Sequence, residues 1–125
     1  MIAADASSLI AFFEGEIAKD TDAIAAAFES LELVLPPPVP VELIGKRSRS
    51  PAYDEIADKA TLLPLGEGYW QRARVSRGLL LSKGLKARAV DSLIAQCCID
   101  ADVPLITRDV DFRHFAHWCG LKLAI

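Results

Sequence analysis

Short aliphatic runs alternate along the chain with stretches whose apolar residues recur at helical spacing, and this alternation sets the expected elements. Ile2-Ala3-Ala4 is the first run, a strand that meets Asp5, and Ser7 to Phe13 carries the small and apolar residues of a helix. Asp20-Thr21-Asp22 supplies N-cap chemistry for a second helix from Ala23 to Ser30, with Ile24, Ala27, Phe28 and Leu31 on one face. Leu31 to Leu35 is a second strand, stopped by Pro36-Pro37-Pro38. Prolines are tolerated in a first helical turn, so Val39 to Lys46 opens a third helix with Glu42 near its start. Ser50-Pro51 enters another, which places Tyr53, Ile56, Ala57 and Ala60 together.

Thr61 to Leu65 is a third strand candidate, and a long helix over Glu67 to Ser82 ends before Gly84. The clearest period is in Ala89 to Asp102, where Val90, Leu93, Ile94, Cys97, Cys98 and Ala101 form one face and Asp91 sits in the first turn. Pro104 to Thr107 is a fourth strand running into Arg108-Asp109; Asp111 to Trp118 is a short helix stopped by Gly120, and Leu121 to Ile125 a fifth strand. Strands separated by helices imply a parallel sheet covered on both faces, because each parallel connection needs a crossover. The expected class is therefore α/β, and 125 residues suit one domain over 1–125.

Composition narrows this further. A hydrophobic fraction of 52% excludes a disordered chain, yet no run is long enough to span a membrane, so no membrane partner is expected. The N-terminus carries Asp5 where a secretory signal would be apolar, which points to the cytoplasm. Cys97, Cys98 and Cys119 have no C-x-x-C spacing, so they are expected reduced and buried rather than in a disulfide framework or a zinc site. The net charge of −3 hides a segregation: Lys19 is the single cation against seven acids in residues 1–32, whereas Lys46 to Arg88 holds ten basic residues against four acids. That middle stretch could face phosphate or be an ordinary solvated surface.

Four carboxylates stand at element ends: Asp5 after the first strand, Glu42, Asp91, and Asp109 after the fourth strand. Each alone reads better as a cap or a surface charge than as a functional group. Brought to one rim they would repel one another, and such a cluster persists only if cations neutralise it or protons are retained. Hard oxygen ligands of this kind suit Mg²⁺ or Mn²⁺, which share coordination with water and phosphate.

The ordered blocks Ile2-Ala3-Ala4-Asp5-Ala6-Ser7-Ser8-Leu9-Ile10, Val39-Pro40-Val41-Glu42-Leu43-Ile44, Asp91-Ser92-Leu93-Ile94-Ala95 and Thr107-Arg108-Asp109-Val110-Asp111-Phe112 resemble the four acidic segments of PIN domains, in particular VapC-type toxins. The resemblance implies a three-layer α/β/α domain with a five-stranded parallel sheet in the order 3-2-1-4-5. It implies a metal-dependent endoribonuclease whose Asp5, Glu42, Asp91 and Asp109 hold Mg²⁺ or Mn²⁺, with Asp111 assisting or replacing Asp109. Ser7 and Thr107 match hydroxyl positions beside the metal, and Ala6 stands where the family usually has Thr. A VapB-like antitoxin and a homodimer, through apolar residues around Phe12, Phe13, Ile24 and Phe28, are further expectations of the resemblance.

Lys46, Arg47, Arg49, Lys86 and Arg88, with Arg72, Arg74, Arg77 and Lys83, are candidates for holding RNA phosphates. Tyr69, Trp70 and Trp118 read as packing residues rather than base-stacking ones. His114 and His117 lack the rest of a zinc motif. Two rivals are a PIN-like binding module whose acids have become structural, and a phosphoryl-accepting receiver domain, against which the lone Asp5 counts.

Overall fold

The structure, a computed structural model, describes residues 1–45 and 51–125, with Ala57 described by its backbone alone. The element order is β1 (Ile2–Ala4), α1 (Ala6–Phe13), α2 (Lys19–Glu29), β2 (Leu33–Leu35), α3 (Pro38–Leu43), α4 (Pro51–Lys59), β3 (Thr61–Leu62), α5 (Tyr69–Ser82), α6 (Ala89–Ala101), β4 (Leu105–Ile106) and α7 (Phe112–Cys119). Every strand pairing is parallel, in the order β3-β2-β1-β4. Helices flank the sheet, as the alternation of strands and helices requires. The expected order 3-2-1-4 holds for these strands. None of the helices among the described residues is long and apolar enough to cross a membrane.

The expected fifth strand is reduced to one parallel bridge, Leu105 to Leu123. Leu105 donates its N–H to Lys122 O at 2.9 Å and accepts from Ala124 N at 2.9 Å. In a parallel ladder alternate residues face the same neighbour. The next residue facing that edge would be Thr107, and there the chain has already left the strand. Its hydroxyl is bound to Asp5 instead.

Central β1 is built from Ala3 and Ala4, both fully buried, and packs among Val34, Leu35, Leu105 and Ile106. Leu9, Ile24, Val39, Leu43, Ile94 and Phe115 close the core from the helices. Helix α2 begins four residues earlier than the Asp20-Thr21-Asp22 signal suggests. Thr21 Oγ1 accepts the Ala18 N–H at 2.9 Å, so Thr21 closes the turn from inside the helix. Helix α3 is shorter than expected: it starts at Pro38 and ends at Leu43, which leaves Glu42 in its last turn rather than near its start.

Leu31 takes a left-handed φ of 59° as the chain turns from α2 into β2, so the strand starts two residues later than its aliphatic run. Tyr69 opens α5 and is buried, and its hydroxyl donates to Leu93 O of α6 at 2.6 Å while accepting from the Cys97 thiol at 3.5 Å. Trp70 and Trp118, also expected to pack, are 65% and 45% exposed, because Tyr69 and Phe115 fill the space inside. Tyr69→Phe should therefore lower stability by about 1 kcal/mol, measured by urea denaturation, by leaving a buried carbonyl short of a donor.

Candidate metal centre

Strand order reverses at β1, whose chain continuation lies on the β2 side while β4 lies on the other. In open parallel sheets such a switch leaves a crevice beyond the carboxyl ends of the strands. Asp5 leaves β1 at this crevice and Thr107 to Asp109 leave β4 beside it, because Ala4 pairs with Ile106 and Asp5 N donates to Ile106 O at 3.1 Å. Asp91 enters from the first turn of α6, and Asp111 is the N-cap of α7.

Asp5 is held on every side. Ser7 Oγ lies 2.8 and 3.0 Å from its two carboxylate oxygens, Ser8 N–H donates at 3.2 Å, and Thr107 Oγ1 donates at 2.6 Å. A chain of bonds continues outward: Asp109 N–H donates to Thr107 Oγ1 at 3.1 Å, and Asp111 N–H donates to Asp109 Oδ1 at 2.9 Å. Ser7 and Thr107 thus both touch Asp5. Burial raises the Asp5 pKa, the Thr107, Ser7 and Ser8 bonds oppose this, and the Asp109 charge adds to it.

Asp91 lies in a different environment. It is 8% exposed, and its Oδ2 is the buried side-chain polar atom left without a hydrogen-bond partner among the described residues. One oxygen each of Asp91, Asp109 and Asp111 lies within 4.8 Å of the others. Burial, followed by the Asp109 charge, pushes the Asp91 pKa up to about 6, with Arg88 acting in the opposite direction. Glu42 is exposed as a whole residue, yet its carboxyl end feels the crevice: desolvation first, then the charges of Asp91, Asp5 and Asp109, hold its pKa above the ordinary value. All five sequence-expected acids are therefore electrostatically linked, while the tight trio is Asp91, Asp109 and Asp111. An oxygen-only set with a buried orphan atom fits a hard divalent cation.

The basic candidates separate into groups. Lys86 Nζ lies 3.3 Å from Asp111 Oδ2, and Arg88 is the N-cap of α6 next to Asp91. Arg72 is committed to Asp100 through two bonds of 3.0 and 2.7 Å, Arg77 Nε donates to Ala87 O, and Lys83 lies over the Trp118 ring. Lys46, Arg47 and Arg49 fall outside the described residues. A groove of about 400 Å³ opens beside Asp109, lined also by Lys19, Arg113 and Thr107. A larger groove of about 640 Å³ lies among Phe12, Phe13, Phe28 and Ile56 and contains none of the five acids. Ile24, expected near a dimer surface, is fully buried.

Sequence reasoning missed the clamp made by Arg108. Its guanidinium binds Asp20 twice, at 2.8 and 3.1 Å, and Glu16 at 2.5 Å, and Asp20 also accepts from Ser8 Oγ at 2.9 Å. The Arg108 bonds hold the Asp20 pKa down at about 2. This ties the β4 loop to α1 and α2 and fixes the span between Asp5 and Asp109. The signal was present in an Arg between two expected site residues and an Asp at the entry of an apolar helix.

Burial of an uncompensated Asp91 charge carries a stability consequence with a definite sign. Its folded pKa of about 6 lies above the unfolded value of 3.8, so the folded state binds the proton more tightly and stability falls as pH rises through that window. Asp91→Asn should raise stability by about 1–3 kcal/mol at pH 7.5 in chelator, and by almost nothing at pH 4, as read by thermal melts at both pH values. A destabilised variant at pH 7.5 would contradict this account of the carboxylate.

Comparison with known proteins bears on the fold and the family. No curated protein matches the chain. Among solved structures, VapBC2 from Rickettsia felis, bound to a DNA fragment from the promoter, matches with a TM-score of 0.70 and 19% identity, covering 98% of this chain and 97% of the other. At that identity the likeness speaks for the fold. The profile of the PIN domain matches residues 2–117, and the chain belongs to the PIN domain family, whose members are generally nucleases.

Proposed function

We propose that this chain is a metal-dependent endoribonuclease and the VapC-type toxin of a toxin–antitoxin pair, acting as a single domain in the cytoplasm. The observation that carries the reading is the Asp91 carboxylate, which has a buried oxygen with no donor, Oδ2, and presents an oxygen within 4.8 Å of those of Asp109 and Asp111. A bare carboxylate there is costly, and a divalent cation is the partner its chemistry suits. Asp91, Asp109 and Asp111 would hold Mg²⁺ or Mn²⁺, with Asp5 and Glu42 completing the negative field. Bound there, such an ion supplies water activation and offsets charge on a phosphodiester.

The chain's own residues do the rest of the work. Ser7 and Thr107 keep Asp5 oriented, and Thr107 also fixes the backbone of Asp109. Arg108 keeps the β4 loop against α1 and α2. The groove beside Asp109, with Lys19 and Arg113 on its walls, offers room and positive charge for a nucleic-acid strand. Lys86 and Arg88 on the other side, and Lys46, Arg47 and Arg49, are the further candidates for phosphate contact. Likeness to the Rickettsia felis VapBC2 structure supports an antitoxin partner, and the exposed Phe28 beside Phe12 supports an apolar contact with a second copy.

Purified chain should cleave labelled RNA in Mg²⁺ or Mn²⁺ and not in chelator. Asp91→Asn and Asp109→Asn should each reduce the rate at least about 100-fold, as expected for loss of a direct ligand. Wild-type rates from both variants would rule the reading out. A protein that takes up no Mn²⁺ by calorimetry would leave the silent binding module. Expression in a host should arrest growth, and Asp91→Asn should relieve the arrest; growth unaffected by the active protein would remove the toxin assignment.

A further inference from the structure

Lys86 lies in the connection between α5 and α6, two residues after Gly84. Its ammonium is 3.3 Å from Asp111 Oδ2, with the Lys86 side chain 54% exposed and that of Asp111 19% exposed. Asp111 is at the same time one of the three acids that present oxygens within 4.8 Å of one another, and one of the other two, Asp91, has a buried oxygen with no hydrogen-bond partner. One carboxylate thus faces both an internal cation and the place where an external one fits. Three other cations of this stretch are committed to different partners: Arg72 to Asp100, Arg77 to the Ala87 carbonyl, Lys83 to Trp118.

An ammonium on a flexible four-carbon stem can change partners at small cost, and an ion pair whose Lys end is exposed to solvent is a weak one. A divalent ion beside Asp111 would repel Lys86 while competing for its carboxylate. Divalent ions of the hard class share their coordination with phosphate, so a released Lys86 would find a phosphate oxygen arriving at the same rim. We propose that Lys86 is an exchangeable counter-ion, paired with Asp111 when no metal is bound and transferred to an RNA backbone phosphate when a divalent cation takes over that carboxylate. This rests on the nuclease reading and assigns to one residue the coupling between cation and substrate binding.

The test is Lys86→Gln, which removes the charge from a largely exposed side chain; melting temperatures in chelator check that the variant folds as wild type does. Calorimetric titration should show Mn²⁺ binding at least about three-fold tighter in the variant, since an exposed pair no longer competes. A 2′-O-methyl RNA should bind the variant more weakly in Mn²⁺, with a salt slope shallower by about one phosphate contact, yet bind both proteins alike in chelator. Mn²⁺ affinity that is unchanged or weaker in the variant would overturn the exchange. So would an RNA deficit of equal size with and without Mn²⁺. Wild-type protein that takes up no Mn²⁺ would overturn the nuclease reading with it, whereas normal Mn²⁺ uptake by both proteins would overturn the role of Lys86 alone.

Discussion

Electrostatic repulsion among carboxylates gathered at the open end of the β1–β4 pair is the constraint that shapes this molecule. Parallel pairing of Ala4 with Ile106 delivers Asp5 and Asp109 to one crevice regardless of their charges. Helix α6 adds Asp91 from its first turn and α7 adds Asp111 from its N-cap, two positions where the helix dipole favours an anion but does not neutralise it. The fold supplies enough hydrogen bonds for one of these groups. Asp5 accepts from two hydroxyls and a backbone amide, whereas Asp91 keeps an oxygen buried and bare.

Rigidity around the crevice follows from a second set of charges that are fully paired. Arg108 grips Asp20 and Glu16, and Asp20 grips Ser8, the residue that donates its amide to Asp5. The β4 loop, the start of α1 and the start of α2 therefore move as one piece. Without that tie, like charges on Asp5 and Asp109 would push the two loops apart. Opposite charges a few residues behind the acids hold the like charges together; the Asp20 end of the tie is buried, while Arg108 and Glu16 reach solvent.

Much of this was legible in the chain. Ile2-Ala3-Ala4 before Asp5 and the period of Ala89 to Asp102 yield β1 and α6 nearly as found, because apolar spacing reports burial directly. The ordered acidic blocks point to the same crevice: each acid stands beside the start or the end of an element whose identity the pattern already sets. Local chemistry misled where tertiary partners took over. Asp20 reads as a cap, yet it is an inward partner of Arg108, 88 residues away, and α2 starts at Lys19. Leu121 to Ile125 has strand chemistry, but Thr107 is drawn to Asp5, so the edge it would pair with is one residue wide. Trp70 and Trp118 look like core residues, but Tyr69 and Phe115 already occupy the interior, and no spacing rule decides between neighbouring aromatics.

The unequal treatment of Asp5 and Asp91 gives the crevice a direction. Hydroxyl and amide dipoles already satisfy Asp5, so an added cation gains little there beyond simple attraction. At Asp91 nothing offsets the charge except Arg88 at a distance, and the desolvation penalty has been met by the fold in advance. A divalent ion entering the rim would therefore recover the most free energy on the Asp91 side, where Asp109 and Asp111 also present oxygens. Such an arrangement would trade stability of the metal-free protein for affinity, since the uncompensated carboxylate that weakens the fold is the one a cation would bind. Lys86, paired with Asp111, limits that loss by lending one positive charge to the cluster. The two effects have opposite signs and act on neighbouring carboxylates, so the balance is set by Asp91 at the start of α6, by Asp109 and Asp111 ahead of α7, and by the short connection that carries Lys86.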